Sequence, residues 1–598
     1  MRHVVLLLAA LIATPALAQE PYAPTSLGAD DYARAERFLS PHTSRLVFGA
    51  SVRPVWLEDD RFWYVNTIPA GREFIVVDPE RRTRERAFDH ERLAAALSAA
   101  TGKSHTAFDL PFRTFTFTEE GRAITVEVDR VRYRCDLREY GCATAPAEVE
   151  APRNSVVSPD GRLAAFIREH DLWVLDLETG KETRLTTDGE EDFGYATNNA
   201  GWTHGGRPVL LWSPDSRRIA TFQHDGRGVG EMALVSTNVG HPRLERWKYP
   251  LPGDSAIFRL YRVVIDVEAP EGERVVRLRM PPDPQRSTVC DHIYCRGTFS
   301  DVQWSEDGER LFFASVSRDH KHVVLREADP ETGEVRDILE ETEKAFFNLN
   351  YRDWNWRVLA ESNEVLWYSQ RDDWGHLYLY DLESGALKRQ VTSGAWNVLE
   401  VLRVDPERRT VTFIGNVREP GDPYFEYLYR VNLDGGGPTL ITPDSANHLI
   451  SLSPSGRYVV DSYSTPVEPP VTVLRDLDGR ELLALERADI SRLVEAGWQP
   501  PIPFSVKARD GETDLYGLLF RPTNFDPSKK YPIINNIYPG PQTGSVRGRH
   551  FQASRADAQA LAELGFIVVQ IDAMGTPRRS KSFHEAYYGD LGDNGLPD

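Results

Sequence analysis

The stretch Ser158-Pro159-Asp160-Gly161-Arg162-Leu163-Ala164-Ala165-Phe166 joins a tight-turn sequence to an apolar strand, and it decides the fold because it recurs. Related phrases begin at Ser213 (SPDSRRIATF), Ser305 (SEDGERLFFA) and Ser453 (SPSGRYVV). Pro, where present, fixes φ, and Gly or Asp tolerates a positive φ, so the chain can reverse directly before the strand. A repeated unit of turn and buried strand is therefore predicted.

The spacing of the phrases predicts a β-propeller. Their starts at 158, 213, 305 and 453 are 55, 92 and 148 residues apart, close to one, two and three units of about 50 residues, the length of a four-stranded blade. A small sheet cannot bury both faces alone, and stacking around an axis supplies the cover. The alternative is a series of β-sandwiches with accidental similarity between turns, which leaves the period unexplained.

A second phrase, a strand followed by a turn, also recurs in the sequence. Residues 172–180 (LWVLDLETG) and 377–385 (LYLYDLESG) each predict an alternating strand closed by a turn. Outside the repeats, residues 30–39 and 91–100 are predicted helices, the second because it is rich in Ala and Leu. We interpret both helices as packing elements, since neither carries a catalytic pattern.

The repeated pattern of turns and strands ends near residue 488. A short helix is predicted at 488–497, and the Pro-rich segment 498–503 that follows cannot continue it and marks a boundary. Beyond the boundary come two strands within 504–521. Then follow, in order, a buried strand, a helix and a second apolar strand: 531–538, 555–564 and 565–572. Strand, helix and strand at this spacing predict a parallel α/β sheet.

Composition and charge limit the partners. Hydrophobic residues make up 41% of the 598 residues, enough for a large core. The chain has 70 Lys+Arg against 90 Asp+Glu, a formal net charge of −20. A nucleic-acid-binding protein normally carries the opposite sign, because phosphate neutralisation supplies most non-specific affinity. We therefore expect no nucleic-acid partner, and we expect no cofactor.

The first residues are typical of an export signal. Arg2 and His3 precede the apolar run 4–13, and Ala16-Leu17-Ala18 supplies a small-residue cleavage pattern. The run is too short to span a bilayer, and no later segment reaches about 18 uninterrupted apolar residues. We expect cleavage after Ala18 and a mature protein in the periplasm or outside the cell, without a transmembrane segment. The alternative is an uncleaved N-terminal anchor.

Four cysteines fit that compartment. Cys135 and Cys142 lie seven residues apart, and Cys290 and Cys295 lie five apart, so each pair can close a local loop. Disulfides persist in oxidising compartments, and four cysteines permit three full pairings. Two local disulfides, Cys135–Cys142 and Cys290–Cys295, are predicted. Zinc is the weaker interpretation, because neither pair has metal-site spacing and only His292 lies between the second pair.

Two other polar groups match no motif. His204, His224 and His292 form no helix-spaced pair with a carboxylate, so we interpret them as ordinary surface histidines without a metal. Arg578, Arg579 and Lys581 follow a strand end, and we interpret this basic cluster as part of a solvated loop.

Several motifs together resemble the prolyl oligopeptidase family of serine peptidases, in particular its dipeptidyl peptidase IV branch. In the propeller the resemblance rests on 371–381 (RDDWGHLYLYD) and on 189–192 (GEED) leading to Trp202. In the C-terminal part it rests on Arg509-Asp510-Gly511, Gly517, Pro522, Tyr538, Gly540, Pro541, Asp572 and Gly575.

The resemblance implies a mainly β protein in which a propeller, of eight blades, precedes an α/β-hydrolase domain. The expected division is a signal peptide at 1–18, the propeller with its helical segments at 19–497, and the N-terminal part of the hydrolase domain at 498–598. Members of the family use a Ser-Asp-His triad whose Ser stands in a G-x-S-x-G elbow. No such elbow occurs in the sequence, so we expect a chain truncated before its triad and inactive as it stands.

One catalytic group carries over by resemblance. Tyr538, in Ile537-Tyr538-Pro539-Gly540-Pro541, matches the family tyrosine whose hydroxyl helps to form the oxyanion hole. The physical role is a preorganised donor that faces the charge developing on the scissile carbonyl oxygen. Without the resemblance, a tyrosine that merely ends a buried strand is the simpler interpretation.

One family motif is missing. The dipeptidyl peptidase IV branch presents paired carboxylates to the substrate's α-amino group in a D-W-x-x-E-E motif, whereas residues 200–208 here read AGWTHGGRP. Trp202 remains, but both acids are absent. Glu190 and Glu191 lie upstream and are interpreted as solvated turn residues. Release of dipeptides one by one is therefore not implied, and the substrate-binding residues stay unknown.

The sequence thus favours an exported serine peptidase, a dipeptidyl peptidase IV-like exopeptidase or an oligopeptidase, acting on short peptides that pass the propeller. A homodimer of the full-length parent is expected from the resemblance. The alternative is a non-catalytic propeller that binds or scaffolds partners and carries a vestigial hydrolase segment. An in-frame G-x-S-x-G after codon 598 favours the enzyme, and a stop codon there favours the scaffold.

Overall fold

The computed structural model describes residues 19–146, 149–197, 205–237, 239–285, 299, 301–348, 355–538, 540–593 and 595–598. Several sequence predictions lie outside the described residues: the signal peptide 1–18, Trp202, His204, His292 and the pair Cys290 and Cys295. Among the described helices, none is both long enough and apolar enough to cross a bilayer.

Within the described residues, eight antiparallel sheets follow one another between Val55 and Arg487, and all but the six-stranded fourth are four-stranded meanders. Sheets 1 to 4 contain, in turn, Val55–Trp56, Phe62–Ile68, Gly71–Asp78 and Thr83–Arg86; Thr116–Thr118, Ala123–Val128, Val131–Asp136 and Cys142–Thr144; Val156–Val157, Leu163–Arg168, Asp171–Asp176 and Glu182–Arg184; and Phe193–Tyr195, Leu211–Trp212, Arg218–Asp225, Arg259–Asp266, Val275–Arg277 and Asp283–Pro284. The hairpin Glu231–Ser236 and Arg243–Lys248 is inserted in sheet 4.

Sheets 5 to 8 continue the series. They contain, in turn, Val302–Trp304, Leu311–Val316, His322–Ala328 and Val335–Thr342; Arg357–Leu359, Glu364–Ser369, His376–Asp381 and Leu387–Gln390; Asn397–Asp405, Thr410–Asn416, Tyr427–Asn432 and Thr439–Leu440; and Asn447–Leu452, Tyr458–Ser464, Val471–Asp476 and Glu481–Arg487. Buried apolar side chains fill the spaces between neighbouring sheets. The predicted β-propeller is confirmed.

The recurrent turns work through a serine side chain. The Ser158 hydroxyl donates to Asp160 Oδ1 at 2.6 Å and accepts from the Leu163 N–H at 3.0 Å. Ser213 and Ser305 repeat both bonds. The side chain thereby holds the turn against the first residue of the strand, which explains why the phrase recurs as a unit.

The fourth copy of the turn joins the two ends of the propeller. Here Ser455 stands where the other copies have Asp, and the carboxylate comes instead from Asp60 of sheet 1. Asp60 accepts from the Ser455 N–H at 3.0 Å and pairs with Arg457 at 3.1 Å. Tyr64 adds a 2.7 Å bond to Glu486. The backbone of Phe48 and Gly49 bonds to Asp489, directly after sheet 8, and to Thr67 of sheet 1, while no strand of the described residues is shared by the two sheets.

Of the six described helices, four match predicted ones with ends that differ by a few residues, and two short ones, Ser40–Thr43 and Lys581–His584, are not predicted from the sequence. The six are Ala29–Glu36, Ser40–Thr43, His90–Thr101, Ser491–Glu495, Ala558–Glu563 and Lys581–His584, with 3₁₀ turns at Ser44–Leu46, Glu119–Gly121, Ala360–Ser362 and Leu591–Asp593. Arg34 in the first helix pairs with the fully buried Glu563 at 3.0 Å, and Glu20–Pro21 pairs with Lys529–Lys530. The N-terminal segment therefore packs on the C-terminal part of the chain. The limits 19–497 and 498–598 stay a prediction.

The C-terminal sheet has the strand order Ile502–Lys507, Asp514–Phe520, Ile567–Asp572 and Ile533–Asn535. The last two strands are parallel and are connected through the helix Ala558–Glu563, as the sequence predicts. This crossover places the carboxyl ends of both strands at one edge of the sheet.

Two local features complete the fold. A disulfide joins Cys135 to Cys142 within sheet 2. The interpretation of His224 as a surface residue is wrong: it is 3% exposed, stacks on Phe258 at 4.9 Å and is bonded to Gln285 at 2.7 Å. Its strand is buried on both faces, which period-2 patterning cannot reveal.

The joint between sheets 1 and 8 gives a stability prediction. Leu474 is fully buried there beside Phe62 and Val460. We expect Leu474→Ala to lower the free energy of unfolding by about 2–5 kcal/mol, because it removes buried methyl groups and leaves a cavity. Urea denaturation followed by tryptophan fluorescence measures the loss. The control is Leu387→Ala, at a strand position 51% exposed, where little change is expected. Equal losses for both variants would contradict the packing of this joint.

Candidate active site

Two loops follow the parallel strands at the same edge of the C-terminal sheet. The Tyr538 loop (536–548) follows Ile533–Asn535, and the Gly575 loop (573–580) follows Ile567–Asp572. Ligands of open α/β sheets bind in the crevice outside the carboxyl ends of the strands. In this protein the propeller lies directly opposite both loops, as the contacts below establish.

Tyr538 stands near the start of its loop. Its backbone N–H donates to Ser545 Oγ at 2.9 Å, which closes the loop on itself. The ring is 42% exposed, and within the described residues its hydroxyl has no hydrogen-bond partner. A side chain at Gly540 would collide with this ring. The phenol is therefore held at its base while its hydroxyl stays available as a donor.

A buried ion cluster fixes the far end of the Tyr538 loop. The Arg549 guanidinium, 1% exposed, lies 2.9 Å from Asp422 of the propeller and 2.8 Å from Asp572 at the end of its strand. It also lies over the Tyr424 ring at 4.4 Å. Burial alone would lower the pKa of Arg549, but the carboxylates of Asp572 and Asp422 outweigh it and raise that pKa. The propeller and the sheet thus share one cation.

The backbone of the loop is fastened from inside. The Val546 N–H donates to Asp572 at 3.0 Å, and Gly544 approaches the same carboxylate so closely that a side chain would overlap it. Arg555 donates to three loop carbonyls, those of Val546, Gly548 and His550. Burial and the nearby Arg549 charge lower the pKa of Arg555 to about 10, so it stays charged at neutral pH.

The Gly575 loop and the following helix are locked to the propeller. The Asp373 carboxylate accepts from the Ser582 N–H at 2.6 Å and from its hydroxyl at 3.0 Å. Lys581, 8% exposed, donates to the Phe346 carbonyl at 2.8 Å and lies 3.2 Å from Glu343. Burial raises the pKa of Glu343. The propeller phrase 371–381 thus serves as a docking surface for the C-terminal part.

The interpretation of 578–581 as a solvated loop is therefore wrong. Arg578 pairs with the buried Glu426 at 2.6 Å, and its carbonyl accepts from Asn416. Asn397 donates to the Arg579 carbonyl at 3.1 Å. The partners come from propeller strands more than 150 residues away in sequence, so no local pattern could reveal them.

His584 connects the helix back to the Tyr538 loop. Its Nε2–H donates to the Pro541 carbonyl at 2.7 Å, and its ring meets Phe346 edge-on at 5.0 Å. Burial lowers the pKa of His584 to about 4. Neutral His584 therefore positions the loop three residues from Tyr538. Gly575 is required for this packing, since its φ is +90° and a side chain would overlap Tyr587.

A cavity of about 310 Å³ lies between the propeller and the two loops, and we call it the interface cavity. The wall on the propeller side consists of Asn348, Tyr368, Gln370, Asn397, Leu399 and Tyr424. The facing wall consists of Gln542, Thr543, Gly544, Arg547, Gly548, Asp572, Pro577, Arg578 and Arg579.

Other candidate residues lie apart from this cavity. Glu190 and Glu191 are exposed in the turn before sheet 4, as predicted for solvated residues. Cys135 and Cys142 lie in sheet 2. Within the described ranges, no group of three or more His, Cys, Asp or Glu side chains is arranged to hold a metal ion. Of the residues singled out in the sequence as functional, only Tyr538 lies next to the interface cavity.

The comparison with known families decides the assignment. A model of the dipeptidyl peptidase IV N-terminal region matches residues 126–470, more than half of the chain. The chain belongs to the dipeptidyl peptidase IV family. A second model, of the prolyl oligopeptidase family, matches 551–598. The resemblance inferred from the motifs is confirmed.

Individual members of the dipeptidyl peptidase IV family are distant. Human dipeptidyl peptidase 8 is 24% identical over 544 residues, covering 78% of this chain and 59% of its own. Dipeptidyl-aminopeptidase B of Aspergillus niger is 24% identical over 505 residues, covering 76% and 52%. The chain spans about half the length of the curated relatives it matches. The crystal structure of Porphyromonas gingivalis dipeptidyl peptidase 4 has the same fold, with a TM-score of 0.67 at 18% identity, over 96% of this chain and 77% of that one.

His584 gives a pH prediction for this site. Its folded-state pKa of about 4 lies below the ordinary value of 6.5, so its contribution to stability is complete above pH 6.5 and is lost as the pH falls toward 4. We expect wild type to lose roughly 3 kcal/mol more unfolding free energy between pH 7.5 and 4 than His584→Asn. Asn does not titrate but can still donate to Pro541. Urea titrations at each pH test this, and parallel pH profiles for the two proteins would contradict it.

Proposed function

We propose that this chain is part of an exported serine peptidase of the dipeptidyl peptidase IV type, which hydrolyses short peptides between its propeller and its α/β sheet. The single observation that carries the proposal is the state of Tyr538. Its backbone N–H is held by Ser545 at the carboxyl edge of the sheet, its hydroxyl has no hydrogen-bond partner among the described residues, and the propeller stands opposite. The family assignment supports the same reaction class.

The proposed chemistry is acyl transfer. A serine hydroxyl attacks the scissile carbonyl, and negative charge develops on its oxygen in the tetrahedral state. The Tyr538 hydroxyl donates to that oxygen, so its stabilisation acts on the transition state more than on the bound substrate. The serine itself is expected in a G-x-S-x-G elbow, which the 598 residues do not contain. The domain limit near residue 498 belongs to this proposal.

Rigid support favours this role for Tyr538. A donor is effective only if it is held in place before the charge develops, since otherwise it must reorganise during the reaction. Arg549, Arg555 and His584 each donate to a carbonyl of the Tyr538 loop, those of Arg547, Gly548 and Pro541 in turn. They are positioning residues.

The substrate class is part of the proposal. The branch's paired-carboxylate motif is absent from 200–208, and Glu190 and Glu191 lie exposed in a turn. We therefore propose an exopeptidase or oligopeptidase without assigning the group that binds the substrate's N-terminus. The disulfide between Cys135 and Cys142 favours an oxidising compartment, in line with a signal peptide at 1–18. The homodimer of the full-length parent and the disulfide between Cys290 and Cys295 stay predictions.

The test uses the full-length peptidase of which this chain is proposed to be a part. Tyr538→Phe is expected to lower kcat by about 100- to 1,000-fold, with KM nearly unchanged, because the oxyanion exists only after attack. Hydrolysis of dipeptidyl p-nitroanilides measures both constants. The matched control is Tyr588→Phe, an exposed tyrosine of the same segment, where kcat should stay within about twofold.

Two outcomes would reject the proposal. A near-normal kcat for Tyr538→Phe would remove it as the oxyanion donor. Absence of any serine that reacts with a fluorophosphonate probe in the full-length parent would remove the reaction class. The 598-residue chain itself is expected to remain unlabelled by that probe.

A further inference from the structure

The interface cavity is lined by buried polar groups without partners. Gln370 Oε1, the Tyr424 hydroxyl and Arg579 Nε are all buried, and none has a described partner at hydrogen-bond geometry, although the Thr576 side chain lies near the Tyr424 hydroxyl. Gln370 and Tyr424 are 7% and 5% exposed. Buried polar atoms in native proteins are nearly always satisfied, and leaving one unpaired is costly. Three such atoms around one cavity indicate a polar ligand.

The charges around the cavity are unevenly paired. Arg549 and Arg578 are neutralised by Asp422, Asp572 and Glu426. Arg547 and Arg579 also line the cavity, and no carboxylate of the described residues pairs with either. Two uncompensated guanidinium groups are notable in a chain of net charge −20. They give the cavity a local positive potential that favours an anion.

We propose that the interface cavity binds the C-terminal end of a peptide. The α-carboxylate lies between Arg547, Arg579 and the Tyr424 hydroxyl, which are all donors. The last peptide N–H, one residue from the carboxylate, donates to Gln370 Oε1. An inorganic anion such as phosphate could use the same donors, and at neutral pH its P–O–H group could donate to Gln370 Oε1, so the binding experiment has to separate the two occupants. The inference rests on the proposed function and adds a preference for short peptides with a free C-terminus.

The position and size of the cavity agree with this occupant. A side chain built at Gly540 would touch both Gln542, which lines the cavity, and the ring of Tyr538. The cavity therefore lies close to the proposed oxyanion donor. Its volume of about 310 Å³ is at the lower end of the roughly 300–1,000 Å³ typical of ligand sites, which suits the end of a peptide. A peptide held there by its C-terminus extends its preceding bonds toward Tyr538.

Direct binding to the 598-residue chain tests the proposal. Isothermal titration calorimetry compares trialanine with a free carboxylate, trialanine amide and inorganic phosphate. We expect the free acid to bind at least about tenfold more tightly than the amide, because the amide loses the charge-assisted hydrogen bonds. We expect phosphate to compete more weakly than trialanine. Equal binding of acid and amide, or competition by phosphate at the level of trialanine, overturns the proposal.

Variants locate the site. Tyr424→Phe and Arg547→Gln should each weaken binding of the free acid by about tenfold. The matched control is Arg408→Gln, which makes the same charge change at an arginine 75% exposed, in the turn at the far end of the strand that begins at Asn397. It should bind like wild type. Tyr424→Phe should also keep the wild-type melting temperature, because the lost hydroxyl has no partner in the described protein. A lower melting temperature with unchanged binding overturns the role of Tyr424.

The binding assay separates this inference from the proposed function, since it needs no catalytic serine. If the acid and amide bind alike while the full-length parent hydrolyses dipeptidyl anilides, only the C-terminal site is rejected. If the acid binds preferentially but the parent reacts with no fluorophosphonate probe, only the peptidase assignment is rejected.

Discussion

The buried guanidinium of Arg549 is the contact on which the candidate site depends. It is 1% exposed and shared between Asp422 of the propeller and Asp572 of the C-terminal sheet. Transfer of such charges out of water is expensive, and the pair is stable only because two carboxylates and a loop carbonyl surround the cation. Removal of one partner would leave a buried charge without its counter-ion and would lower the free energy of unfolding by about 3–5 kcal/mol. A cluster of this kind fixes geometry more than it adds stability, and the geometry that it fixes is that of the Tyr538 loop.

The propeller supplies a rigid wall for that cluster by different means. Within the described residues its first and last sheets share no strand, and they are joined by the side chains around Asp60, the apolar cluster of Phe62 and Leu474, and a backbone bridge through Phe48 and Gly49. The substitution of Ser455 for the usual Asp of the turn is the clearest sign of this joint. Elsewhere the turn supplies its own carboxylate, and at the joint the neighbouring sheet supplies it. One repeated local device is thus adapted to connect residues about 395 positions apart.

Sequence patterning predicts the elements whose causes are local. The turns at Ser158 and Ser213 are visible because serine, aspartate and strand lie within a few residues of each other. A further copy of the second phrase, Asp329 to Gly333, has Pro330 in place of the Leu, yet Asp329 accepts from the N–H groups two and three residues on, as Asp176 does. Tyr538 was found only through family resemblance. The role of Arg549 could not be predicted, since Asp422 lies 127 residues away. Burial of Lys581 could not be predicted either, because its partner Phe346 lies 235 residues away.

Pairing separates the arginines of the interface into two groups with different physical roles. Arg549 and Arg578 each form an ion pair with a carboxylate on another element, so their charges are neutralised within the protein. Arg547 and Arg579 face the same cavity without such a carboxylate, and the polar atoms of Gln370 and Tyr424 beside them have no partner either. A fold that needed only rigidity would gain by replacing these groups with apolar ones of similar size. Arg579 Nη1 already donates to the Asp514 carbonyl, so Arg547 and the Nε of Arg579 are the donors that remain for a ligand.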